Sequence, residues 1–368
     1  MSNKIGLIGP GRLGLSVALL LEEAGYNVIA VENNRQYLEK LSSKALDSPE
    51  PGVNERMKRS EIRFTSDIQT LVDENIKTIL IYVPTPDSDE GYDHSVLESV
   101  LNFFIDKGPV ATPVTLMIGC TTLPGFCKPY EERLAMLNYQ VVYSPSFIAQ
   151  GSIIKNLHYP DMLLFGSQNE KAITQCEEVM KSITQIEPIV SKMDTLSAEI
   201  TKLATNCFLT AKIAFANAIG DLAIKTGGNQ EAILKAIGSD SRVGSLYLKY
   251  GFGYGGPCFP RDNRALNYFA KQNDYELLLS EATEKANHQH TAFQAEQFLK
   301  DYKESESIHF DHVTYKPGTD IIEESQQLKI AVEIARKGRK VTVEGNSRVI
   351  RQLKNIYGDL FIYVLKNE

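Results

Sequence analysis

Tryptophan is absent from this chain of 368 residues, and cysteine is scarce. Cys120, Cys127, Cys176, Cys207 and Cys258 are odd in number, scattered and never in a C-x-x-C pair, which excludes a disulfide framework and a structural zinc site. No metal is expected, and at most one or two thiols have a chemical role. Positive charge is short too: 39 Lys and Arg face 46 Asp and Glu, and the net charge of −7 argues against a broad grip on nucleic acid or anionic lipid. A local anion pocket remains open. No apolar run comes near the roughly 18 residues needed to cross a bilayer, so no membrane partner is expected. The first strand-like run, Ile5 to Ile8, follows Met1 without a signal-peptide core, which points to the cytoplasm. None of the six histidines lies in a G-x-S-x-G or H-E-x-x-H setting. His288 and His290, two apart on a helix, point apart and are expected at the surface. No internal repeat or low-complexity segment is found.

What is present suits a globular chain of two to three domains, since 43% of residues are apolar. Short β-branched runs alternate with helical stretches through the N-terminal part, the pattern of a doubly wound parallel sheet of the Rossmann type. Strands are predicted at Lys4–Ile8, Asn27–Val31, Thr78–Val83, Thr115–Gly119, Gln140–Tyr143 and Met162–Phe165, with a helix at Gly14–Ala24 stopped by Gly25. From Ser197 to about Lys225, Ile200, Leu203, Leu209, Ile213 and Ile219 recur at helical spacing. A helix that long usually spans between domains or lines a dimer interface. A shorter helix around Glu231–Ile237, a glycine-rich loop and polar helices from Asp262 to about Tyr302 follow. The tail reads as a small α/β unit: strand Ile308–Tyr315, helix Glu324–Lys337, strand Lys340–Val343, helix Arg348–Ile356, strand Leu360–Val364. The division expected is 1–190, 191–300 and 301–368.

Three constellations carry chemistry. Gly9-Pro-Gly11-Arg12-Leu13-Gly14 follows a strand and opens a helix, where a pyrophosphate meets backbone N–H groups and a partial positive charge. Glu32 ends the second strand 18 residues after Gly14; a carboxylate there accepts hydrogen bonds from a ribose and repels a 2′-phosphate, favouring NAD over NADP. Cys258 ends the run Gly251-Phe-Gly253-Tyr-Gly255-Gly256-Pro257, whose glycines suit a loop that brings its backbone up to a ligand, and Arg261 and Asp262 follow to tune the thiol. Cys207, among apolar helical neighbours, reads as core. Lys202 and Asn206 share one helix face and, taken alone, form an ordinary solvated stripe.

Taken in order, these segments resemble the UDP-glucose/GDP-mannose dehydrogenase family almost from end to end. The matching residues are Gly9 to Gly14, Glu50-Pro-Gly, Val83-Pro84-Thr85-Pro86, Cys120-Thr121-Thr-Leu-Pro-Gly125, Ser144-Pro-Ser-Phe147 with Gly151, Pro160-Asp161, Ala198-Glu-Ile-Thr-Lys202 with Asn206, and Gly253-Tyr254-Gly255-Gly-Pro-Cys258-Phe-Pro-Arg-Asp262. The resemblance implies a twofold oxidation of the C6 alcohol of a nucleotide sugar, with NAD as cofactor and Cys258 capturing the aldehyde. UDP-glucose is the favoured substrate. It assigns Lys202 and Asn206 to the C6 oxygen, Asp262 to water, and Thr121 to nicotinamide or water. Val83, Pro84, Thr85 and Lys316 join the glycine motif at the cofactor, and Phe147, Tyr254, Gly255 and Lys249 the substrate. Arg242 would reach the partner's substrate in a homodimer built on the long helix. Three positions depart from the family: Ser146 and Gln150 replace carboxylates, and Glu323 replaces an arginine that binds pyrophosphate. The tail is read as a truncated UDP-sugar-binding domain. An impaired or regulatory paralogue that binds NAD or a UDP-sugar, or a dehydrogenase for another UDP-hexose, is the alternative.

Overall fold

A computed structural model describes residues 3–88 and 91–366. The chain divides into two compact units, Met1–Lys202 and Leu203–Glu368. The first runs β1 (Lys4–Ile8), α1 (Arg12–Glu23), β2 (Asn27–Val31), α2 (Arg35–Ser42), α3 (Val53–Arg59), β3 (Arg63–Thr65), α4 (Gln69–Asp73), β4 (Thr78–Ile81), β5 (Asp87–Ser88), β6 (Gly91–Tyr92), α5 (Ser95–Lys107), β7 (Val114–Ile118), α6 (Cys127–Ala135), β8 (Tyr139–Tyr143), α7 (Ile153–His158), β9 (Met162–Gly166), α8 (Glu170–Lys181) and β10 (Ile189–Met193). Helix α9 (Thr195–Thr226) carries the boundary between the units. The second continues with α10 (Gln230–Ser239), α11 (Phe259–Gln272), α12 (Leu278–Asp301), β11 (Ile308–Phe310), α13 (Gln326–Arg336), β12 (Val341–Gly345), α14 (Ser347–Tyr357) and β13 (Ile362–Leu365).

The first unit is built on one sheet of order β10-β9-β8-β7-β4-β1-β2-β3, parallel except where β8 meets β9. Its strands are buried on both faces with a period of two. Ile5, Leu7, Val28, Ala30 and Leu80 pack in one core layer with α1, and Ile8, Ile29, Val31, Ile79 and Ile81 in the other with α5. The chain leaves β1 to one side, through β2 and β3, and returns to the other side at β4, so the segments after β1 and β4 open at a topological switch point. Those segments are the glycine motif and Val83-Pro84-Thr85.

The second unit contains α10, α11 and α12 and a parallel sheet of order β11-β12-β13. Ile308, Phe310, Val341 and Val343 face Ile330, Ile334, Val349 and Leu353 of α13 and α14. The strand expected at Ile308–Tyr315 ends at Phe310. Beyond it Thr314 donates to the carbonyl of Lys316, and the Tyr315 N–H reaches the carbonyl of Ile321 at 3.0 Å, closing a turn at Pro317-Gly318 where a ladder would continue.

One expectation about membranes needs correction. Helix α9 reaches a mean hydropathy of 1.5 over 18 residues, enough by length and composition alone to cross a bilayer. A search for unbroken apolar runs misses it because Glu199, Lys202, Lys212 and Asp221 interrupt the sequence. Those residues have partners within the fold, such as Glu199 with Thr122 at 2.9 Å and Asp221 with Tyr250 at 2.9 Å. The reading of a chain without a membrane partner therefore rests on these polar contacts.

Candidate active site

The turn after β1 has the shape a dinucleotide needs. Gly9 has φ +86°, and a Cβ there would stand 2.5 Å from the carbonyl oxygen of Tyr82; at Gly14 it would stand 2.1 Å from that of Gly9. At Gly11 no atom lies within 4 Å of such a Cβ, so the backbone is open on the side where a pyrophosphate would approach. Gly11 caps α1 without a side-chain bond to its first N–H groups, and no acid stands in the first turn to compete with an anion. Leu13 packs against the core beside it, while Arg12 is exposed and donates to the Gln150 amide oxygen at 3.1 Å. At the end of β2 one Glu32 oxygen accepts the Asn34 N–H at 2.7 Å. Val83 and Thr85 are buried and Pro84 exposed, and Thr85 donates its hydroxyl to the carbonyl of Thr121 at 2.8 Å. The predicted cofactor segments after β1, β4 and β7 thus belong to one unit; Lys316 lies in the other. Residues 9–14 and 32 fit NAD.

The loop carrying Thr121 is held by two residues to which the sequence reading gave no role. Glu199 is fully buried and accepts the Thr122 hydroxyl and the Cys127 N–H at 2.9 Å and the Gly125 N–H at 2.7 Å. Burial raises its carboxyl pKa against the lowering effect of those donors. The His94 Nε2 accepts the Leu123 N–H at 3.1 Å, and its ring stacks on Phe126 with centroids 4.2 Å apart. Burial holds its pKa down at about 4, so the ring keeps the lone pair that this bond needs. A carboxylate inside an otherwise apolar helical stretch was the available signal for Glu199.

Lys202 is 7% exposed and Asn206 9%, so they do not form a solvated stripe. The Lys202 Nζ donates to the carbonyl of Ser146 at 2.9 Å and lies 4.7 Å from the centre of the Phe147 ring. Just beyond, buried Glu50 accepts the Gly151 N–H at 2.7 Å and fixes the loop that holds Gln150.

In the second unit Cys258 is exposed and caps α11. Asp262, one turn on, is 1% exposed; it accepts from the Asn206 amide at 2.6 Å and lies 3.7 Å from the Arg261 Nε. The other thiols are poor nucleophiles. Burial pushes Cys120 and Cys207 up to about 12 and raises Cys127 and Cys176 as well.

Three of the four glycines before Cys258 also have protein neighbours where a side chain would stand. A Cβ would meet the Asn287 side chain at 2.3 Å from Gly253, the Glu324 carbonyl at 2.2 Å from Gly255, and the Tyr315 ring at 2.4 Å from Gly256. Only Gly251 of the four faces open space. Tyr254 is buried, with its N–H on Asn287. Lys249 is exposed, and so is Arg242, paired with Asp240 at 2.7 Å. His288 is exposed, as expected, but His290 is buried, contrary to expectation. One helix face turns inward, and Asp221 supplies its polar partner at 2.9 Å.

Fold and cradle define a dinucleotide-binding unit of the Rossmann type. The chain belongs to the UDP-glucose/GDP-mannose dehydrogenase family: the family's NAD binding domain matches residues 3–184 and its central domain residues 196–289. It is 28% identical over 340 residues to a UDP-glucose 6-dehydrogenase of Rickettsia felis, covering 89% of this chain and 74% of the relative. A UDP-glucose dehydrogenase from Pyrobaculum islandicum superposes with a TM-score of 0.86 at 25% identity, over 98% of this chain and 85% of that one. A UDP-D-ManNAc dehydrogenase from Pyrococcus horikoshii gives 0.78 at 25%, over 92% and 83%. These relatives support oxidation of a UDP-sugar and leave the sugar open.

Proposed function

We infer that the protein oxidises the C6 alcohol of UDP-glucose twice, to UDP-glucuronate, through a thiohemiacetal and a thioester on Cys258. NAD, when bound, supplies the hydride acceptor for both oxidations. Lys202 and Asn206 stabilise negative charge on the C6 oxygen, and the thiolate adds to the aldehyde carbon. After the second oxidation water attacks the thioester, and Asp262, held by Asn206, orients that water or takes its proton. Thr121 borders the nicotinamide. Val83, Pro84, Thr85 and Lys316 complete the cofactor contacts, with Phe147, Tyr254, Gly255 and Lys249 at the substrate. A cytoplasmic location fits this reading.

The observation that carries this reading is the contrast among thiols: Cys258 alone is exposed at a helix N-terminus, and burial raises the pKa of the other four. Its test is the pair Cys258→Ala and Cys207→Ala, assayed for NADH formed from UDP-glucose. The first should abolish net formation and the second retain it. Equal residual activity in both would remove the thioester route.

A second reading, a paralogue that binds NAD or a UDP-sugar with little turnover, draws on Ser146 and Gln150. Where the resemblance places carboxylates, the backbone carbonyl of Ser146 accepts from Lys202, and Gln150 accepts from Arg12. Glu323, exposed in place of an arginine, adds to it. A homodimer is supported by Phe208, Phe215 and Leu222, exposed at intervals of seven on α9 and so on one face. In that dimer Arg242 would serve the partner's substrate.

A further inference from the structure

Helix α12 presents a buried polar edge to the glycine segment before Cys258. Asn287 takes both backbone groups of Tyr254, accepting its N–H and donating to its carbonyl at 3.0 Å each. One turn later the His290 Nε2 lies 2.8 Å from the carbonyl oxygen of Gly251, and its Nδ1 lies 2.9 and 3.0 Å from the two carboxylate oxygens of Asp221. The Gln294 amide donates to the same Gly251 carbonyl at 3.1 Å. From α9, Asn217 accepts the Gly251 N–H at 3.1 Å. Tyr250 donates its hydroxyl to Asp221 at 2.9 Å, and its ring stands edge-on to His290 with centroids 5.5 Å apart.

A carbonyl and a carboxylate have only lone pairs to offer. A neutral imidazole has one N–H and one lone pair, so either tautomer would set a lone pair against an oxygen less than about 3 Å away. Against an ionised Asp221, both contacts are hydrogen bonds only if each ring nitrogen carries a hydrogen. The ring is 2% exposed, and the charge this requires is matched by Asp221, whose side chain is 15% exposed. We propose that His290 is an imidazolium in an ion pair with Asp221, and that the pair is a positioning device that fixes Gly251 and the segment presenting Cys258. His290 acts through the backbone of Gly251. Only the consequence for turnover rests on the reading of Cys258 as nucleophile.

Two measurements on the full chain test this. In ¹⁵N NMR near neutral pH, one histidine should show both ring nitrogens protonated, and its signal should vanish in His290→Gln. A split between a protonated and a bare nitrogen would overturn the assignment. In hydrogen exchange, residues 250–258 should exchange about tenfold faster in His290→Gln than in the wild type, with no change in the surface control His288→Gln. NADH formation should lose kcat while KM for NAD holds. Asp221→Asn is the second variant should the first fail to fold, and the same acceleration is expected of it. Unchanged exchange over 250–258 in the folded variant overturns the positioning role. If exchange and NMR behave as described while Cys258→Ala leaves NADH formation intact, the anchoring stands and the thioester reading falls.

Discussion

Glu199 shows how much one side chain can organise. Three N–H or O–H groups around the Thr121 loop, from Thr122, Gly125 and Cys127, end on its carboxylate. Glu199→Gln keeps the shape but turns an NH₂ toward donors, leaving at least one buried N–H unsatisfied. A loss of about 1–3 kcal/mol in denaturant unfolding is expected; a stability equal to wild type would show that the loop stands without the carboxylate. His94 gives a pH dependence of known sign. Its folded pKa, near 4, lies below the ordinary histidine value, so between the two the unfolded chain binds more protons. Stability should fall as pH drops from neutral toward 4 and gain nothing further from this group below that. His94→Gln, whose amide oxygen can still accept from Leu123, should flatten part of that slope in thermal melts; an unchanged slope would assign it to other groups. At Glu32 one oxygen is taken by Asn34, and we assign the other to the ribose. Glu32→Ala should narrow the preference for NAD over NADP in kcat/KM, and an unaltered ratio would move the ribose elsewhere.

At the scale of elements, α9 joins both readings. Its exposed Phe208, Phe215 and Leu222 repeat every seven residues. If this seam joins two copies, Phe215→Glu should shift the mass in sedimentation equilibrium from dimer toward monomer; a wild-type protein that is monomeric at micromolar concentration would contradict the dimer. The central strands were legible in the sequence because burial on both faces demands β-branched residues. β1 and β2 fall at the predicted residues. β3 and β10 were missed for the opposite reason. They are edge strands whose residues are largely half-buried or exposed, with Arg63, Ser191 and Lys192 among them. The tail strand was drawn too long because Val313 and Tyr315 look like strand residues, while the turn at Pro317-Gly318 decides the backbone. In the candidate site, the glycine motif could be read from its spacing after a strand, whereas the role proposed for Cys258 came with the family resemblance. The burial of Lys202, Asn206 and His290 could not, since a polar residue on a helix gives no sign of which face meets the core until its neighbours are in place.

For the molecule as a whole, the two compact units divide inside α9, so the glycine motif with Thr121 and the Cys258 loop with Asp262 are products of separate cores. The three-part division at 190 and 300 remains a proposal; limited proteolysis that cuts near residue 300 and leaves two stable fragments would support it. The departures at Ser146, Gln150 and Glu323 bear on the same question as the cysteine chemistry: whether a chain of this family without those side chains completes both oxidations. The most direct measurement is the ratio of NADH formed to UDP-glucose consumed by the wild-type protein at exhaustion. The account predicts two NADH per sugar, with UDP-glucuronate as product. A ratio of one with a released aldehyde, or binding of UDP-glucose with no NADH at all, would contradict it.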